Sequence, residues 1–99
     1  MAGAKGQYLQ NDRTQMDTLS SAASTSALGM NTHRATVQVV GTGFTGTWVV
    51  QVSNDGTNWE NSSLTGTGDS IGVLEGPFYK FRVTISSYTA GSIDIWAVH

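Results

Sequence analysis

Hydrophobic and polar residues alternate with a period of two through most of this chain. Ala35, Val37 and Val39 alternate with Arg34, Thr36 and Gln38, and Trp48, Val50 and Val52 with Thr47, Val49 and Gln51. Further along, Tyr79, Phe81, Val83 and Ile85 are expected to face in, with Lys80, Arg82, Thr84 and Ser86 facing out. Ile93, Ile95 and Ala97 alternate in the same way with Asp94, Trp96 and Val98. This is the period of a half-buried strand, whose successive side chains point to opposite faces. Shorter strands are predicted over 59–64 and 70–74, separated by Thr65-Gly66-Thr67-Gly68-Asp69.

Turn chemistry stands between these segments. Asn54-Asp55-Gly56 offers two side chains that cap their own backbone and a glycine that accepts positive φ. Glu75-Gly76-Pro77-Phe78 reads as a turn, because Pro77 cannot donate to a central ladder. Ser86-Ser87-Tyr88-Thr89-Ala90-Gly91 reads as a loop between the last two strong strands. About six to eight short strands, spaced by roughly ten residues, predict an all-β fold. The expected architecture is a single antiparallel β-sandwich, Ig-like or jelly-roll-like, and no internal repeat of solenoid length is present.

The start of the chain is different. Residues 1 to about 18 are mostly polar, with Tyr8, Leu9 and Met16 as scattered larger apolar side chains. Ordering a residue costs ~1–2 kcal/mol of backbone entropy, and three dispersed side chains at ~1.5–3 kcal/mol each do not offset that. We therefore expect a flexible N-terminal arm over 1–18 and a β-sandwich domain over 19–99. Leu19 to Met30, rich in Ala, Ser and Thr, is expected to form an irregular edge strand ending near Leu28.

Composition narrows the function classes. The 99 residues make one domain, and a net charge of -2 with 12% charged residues argues against a nucleic-acid or anionic-membrane partner. The absence of cysteine excludes a disulfide framework and a thiolate metal site. No apolar run approaches the ~20 residues of a membrane span, and none follows Lys5, so no secretory signal is expected. These features suit a small β protein, made in a cytoplasm, that works within an assembly.

Candidate chemistry is sparse. Gly41-Thr42-Gly43-Phe44-Thr45-Gly46 matches G-x-G-x-x-G, but a strand follows it instead of the helix that would hold a pyrophosphate. It reads as a Gly-rich hairpin connection, with Phe44 folding back over the sheet end. His33 and His99 are too few for a zinc site and are expected to be solvated. The carboxylates fall mostly in turns or at strand ends, and no nucleophile–base set or acid pair can be named. We expect no enzyme activity, no cofactor and no metal. Trp48, Tyr79 and Phe81 are expected in the core. Tyr8, Leu9, Met16, Tyr88 and Trp96 are the candidate partner-interface residues, and sugar stacking on Trp96 and Tyr88 is the weaker alternative.

Two stretches carry a resemblance. Ala35-Thr36-Val37-Gln38-Val39-Val40-Gly41-Thr42-Gly43-Phe44-Thr45-Gly46-Thr47-Trp48 is followed by Ser53-Asn54-Asp55-Gly56-Thr57-Asn58-Trp59. Later come Gly76-Pro77-Phe78-Tyr79-Lys80-Phe81-Arg82-Val83-Thr84 and Tyr88-Thr89-Ala90-Gly91-Ser92-Ile93. Over residues 19 to 99 this wording resembles small virion proteins of tailed bacteriophages, of the capsid decoration or cement type. The resemblance implies a compact β-sandwich on the capsid surface that bridges shell subunits. The partners it implies are the major capsid protein and further copies of the chain, assembled as a homotrimer. A tail, neck or fibre protein, or a carbohydrate-binding module, is the alternative. The resemblance carries over no catalytic residue.

Overall fold

The computed structural model describes residues 13–99. These residues form six strands: β1 Arg13–Leu19, β2 Leu28–Gly29, β3 Arg34–Ser53, β4 Glu60–Gly66, β5 Ser70–Glu75 and β6 Lys80–Val98. No helix occurs among them, and every pairing is antiparallel. The all-β expectation holds, but the strands are unequal. β3 and β6, at 20 and 19 residues, pair with each other from Thr36↔Val98 to Ser53↔Lys80.

Both long strands double back on themselves. The rings of Phe81, near the start of β6, and His99, just past its end, lie 6.1 Å apart. A fully extended run of that length would span about 60 Å. The bend falls where the β3–β6 register shifts, between Thr42 and Trp48. Such bulges bend a strand and increase its twist. Glycine makes the bend sterically open. Gly91 has φ 82°, and a Cβ there would lie 2.2 Å from the Gly43 carbonyl oxygen. Gly46 has φ 153°, and its Cβ would lie 2.2 Å from the Ser87 carbonyl oxygen.

Two layers result. The first runs β5, the N-terminal half of β3, the C-terminal half of β6, then β1. The second runs β4, the C-terminal half of β3, the N-terminal half of β6, then β2 with a bridge at Ser24. Val37, Val39, Ile93 and Ile95 of the first layer and Trp48, Val50, Phe81 and Val83 of the second are sealed from solvent in one cluster. A flat single sheet has no second layer to seal these residues, so the inner faces of the two halves cover each other.

Polar contacts close the margins. Trp48 Nε1 donates to the Gly68 carbonyl at 3.0 Å, and Gly41 N donates to Asp69 Oδ1 at 2.7 Å, pinning the β4–β5 crossing. On the other side, Thr25 exchanges hydrogen bonds with the backbone of Val83, at 2.8 Å to its carbonyl and 3.0 Å from its amide. At the mouth opposite the glycine bend sits His99, 8% exposed. Its Nδ1 is 2.7 Å from the Gly29 carbonyl, which only accepts, so Nδ1 carries the proton. In the neutral ring Nε2 then accepts from the Thr14 hydroxyl at 2.8 Å.

Several expectations are corrected. The arm expected over 1–18 does not extend to residue 18, because Arg13–Leu19 is a strand paired with β6. A bulge between Gln15 and Thr18 puts buried Met16 and Leu19 three positions apart, which disguises the period. The expected loop at Ser86–Gly91 and the expected hairpin connection at Gly41–Gly46 are both continuous strand, paired through the bulged bend. Phe44 does fold back to pack against the core. Tyr79, expected in the core, is 54% exposed, since β6 begins only at Lys80. His99 is buried, whereas His33 is exposed as expected.

Candidate protein-docking face

Cross-strand partners share a face of their sheet, so the register defines the outer surface of the first layer. One row reads Val73, Thr36, Val98, Arg13. The next reads Ile71, Gln38, Trp96, Gln15, and the third holds Val40, Asp94 and Thr18. Ile71 is 67% exposed, Val73 46%, Val98 39% and Val40 38%. Among the described residues only Tyr79 joins these four as an exposed large hydrophobic. Half-buried Trp96 lies at the centre, with the Arg13 guanidinium 5.5 Å from its ring centroid. A shallow depression of ≈ 300 Å³ is lined by Arg13, Gln38, Val40, Ile71, Trp96 and Val98. The rim is polar: Thr18 donates to Asp94 at 2.5 Å, and Arg34 pairs with Glu75 at 3.4 Å. An apolar centre within a polar rim, with an aromatic and an arginine together, is the chemistry of a protein contact surface.

The outer face of the second layer is unlike it. Gln51 Oε1 accepts from Arg82 Nε at 2.9 Å and from the Thr84 hydroxyl at 3.1 Å, while Gln51 Nε2 donates to Asn61 at 2.9 Å. The Arg82 guanidinium covers the Trp59 ring at 4.3 Å. These side chains satisfy one another and leave a solvated surface.

The Asn54–Asn58 turn is structural. Asp55 Oδ1 accepts from Asn58 N at 2.7 Å, Thr57 N at 2.8 Å and the Ser53 hydroxyl at 3.0 Å, and Oδ2 accepts from Asn58 Nδ2 at 2.7 Å. The bonds from Asn58, then those from Thr57 and Ser53, hold the Asp55 carboxyl well below the usual carboxylate range. No group of three or more metal-ligating side chains converges among the described residues, and no helix follows the Gly41–Gly46 run. No described helix is long and apolar enough to cross a membrane.

Of the expected interface residues, Tyr8 and Leu9 lie outside the described residues. Met16 is 7% exposed and belongs to the core, which removes it from the interface set. Trp96 sits at the centre of the apolar face. Tyr88 lies at the bend, packs against the core and donates its hydroxyl to the Gly91 carbonyl at 3.0 Å. The structure therefore does not bring Trp96 and Tyr88 together as one sugar platform. Ile71, Val73, Val98 and Val40 complete the Trp96 surface and were not singled out from sequence. The alternation placing Val98 beside Trp96 was the available signal.

No family model matches the chain, and no curated protein matches it. Among solved structures, the crystal structure of the SPBc2 prophage-derived protein YomS aligns with a TM-score of 0.62 at 13% identity, covering 89% of this chain and 93% of that one. The chain shares its fold with this prophage-derived protein, nearly from end to end.

Proposed function

We propose that this chain is a structural protein of a bacteriophage particle that decorates the capsid, gripping the shell through the outer face of the first layer. The observation that carries this reading is the clustering of Ile71, Val73, Val98, Val40 and Trp96 on one exposed sheet face, beside an opposite face that is polar and internally satisfied. The sequence resemblance to tailed-phage virion proteins and the fold shared with a prophage-derived protein support it. The action is mechanical. Each contact with a major capsid protein removes apolar surface from water, worth ~25 cal/mol per Å² before association costs. The shell's symmetry repeats that contact at each equivalent site. The role is one of binding and not of catalysis.

The test uses shells from the phage genome that encodes the chain, prepared without it. The purified chain is expected to co-sediment with these shells. Trp96→Ala is expected to weaken uptake about tenfold, with the far-UV spectrum unchanged, since central aromatics dominate such contacts. Asn61→Ala, on the opposite face, is expected to bind normally. Uptake by purified tails but not by shells would overturn the capsid reading and place the protein in the tail or neck.

A further inference from the structure

A sandwich of two open layers has four rims, and each presents unpaired backbone groups. Three are blunted here. β1 carries a bulge between Gln15 and Thr18 and the charges of Arg13 and Asp17. β4 pairs through a bulge between Val49 and Gln51 and is polar along most of its length. The rim over 23–29 is broken into one isolated bridge and the two-residue β2. β5 has neither bulge nor break, and its one charge, Glu75, stands at its last position. It pairs with β3 in unbroken register from Arg34↔Glu75 to Val39↔Ser70, contains no Lys or Pro, and pairs with no second strand among the described residues. Its outward side chains, Ile71 and Val73, are 67% and 46% exposed.

We infer that β5 is a pairing edge for a second copy of this chain, met antiparallel across a two-fold axis at Gly72. Side chains opposite one another in a continuous sheet must share a face, which restricts the registers. With Gly72 facing the partner's Gly72, Ile71 of each copy meets Val73 of the other on the outer face. Shifting the register by two residues in one direction sets Ile71 against the partner's Glu75. Shifting it the other way sets Val73 against the partner's Asp69. The Gly72 register is thus the one that joins apolar to apolar at both positions. It is also isologous, each copy giving the same residues. In this register Glu75, the strand's one charged side chain, falls opposite the partner's Asp69 at the margin of the pair, where each carboxylate has a contact within its own copy, Arg34 at 3.4 Å and Gly41 N at 2.7 Å. A five-residue edge buries less than the ~1,000 Å² of a free-standing interface, so the pair is weak in dilute solution. The inference is independent of whether the apolar face meets a capsid.

The chain has no cysteine, so single cysteines report the register directly. Opposed residues in a sheet have Cβ atoms ~4.5–5.5 Å apart, near disulfide reach, while diagonal neighbours at ~7–8 Å are not. A mixture of full-length Ile71→Cys and Val73→Cys chains is expected to form the mixed disulfide at least about tenfold faster than either forms its own homodimer. Val98→Cys, central on the same face, is expected to give none. Sedimentation near ~1 mM is expected to show a two-chain species, and Ile71→Lys with Val73→Lys to raise its Kd about tenfold. Because both side chains are exposed, that variant tests pairing and not folding. A monomer at that concentration, a three-chain species, preferential 98–98 linkage, or capture of an extended peptide without self-pairing would each overturn the inference.

Discussion

Asp55 is exposed and still strongly perturbed, because two carboxylate oxygens receive four hydrogen bonds from Ser53, Thr57 and Asn58. Its carboxyl is depressed in the folded state, so the turn's contribution is complete above the unfolded value of ~3.9 and is lost as pH falls below it. Between pH ~5 and ~2.5 the melting temperature of the wild-type chain is expected to fall further than that of Asp55→Ala. At the mouth of the sandwich, His99→Ala leaves the Gly29 carbonyl without its donor and removes the ring from Phe81. Denaturant unfolding is expected to show a loss of ~2–3 kcal/mol, against ~0.5 kcal/mol or less for exposed His33→Ala. The burial of His99 was legible: the inward set Ile93, Ile95, Ala97 continues to residue 99 at the same parity. Reading a lone histidine as solvated overrode that period. Tyr79 is the converse case, since parity was extended one residue beyond the strand that enforces it.

At the scale of elements, the inward faces were legible wherever a strand is regular. Val37, Val39, Trp48, Val50, Phe81, Val83, Ile93 and Ile95 are all sealed in the core, as their alternation requires. What could not be read was the continuity of β3 and β6. Glycine, serine and threonine runs carry the composition of a connection, yet the ladder continues through them because bulged backbones approach too closely for side chains. Gly91 is the sharpest instance. Gly91→Ala is expected to cost about 3 kcal/mol or more, combining a positive φ with a clash against backbone, and to lower the denaturation midpoint accordingly. Gly29→Ala, with nothing within 4 Å of its Cβ, is expected to be close to neutral. β1 was missed for a related reason: its bulge breaks the period on which recognition depends. The Ile71 and Val73 part of the apolar face was likewise hidden, since β5 joins Trp96 only through a pairing order that alternation along one strand does not encode.

At the scale of the molecule, the same two strands build both layers, so neither layer can be lost alone. Slowly exchanging amides of Val37 and Val39 in one layer and of Val50 and Val83 in the other are expected to open with the same free energy. Tryptophan fluorescence and circular dichroism are expected to report coincident melts, and separate transitions would refute the shared-strand picture. Seen whole, the surface is also uneven in what it permits. A fold with several bare rims invites endless stacking, each added copy exposing a fresh template for the next. Among the described residues, a closed two-fold contact consumes the one rim of each copy that is neither bulged nor broken, and the three remaining rims are bulged or broken. Association is therefore self-limiting, and crowded copies stop at pairs instead of growing into fibres.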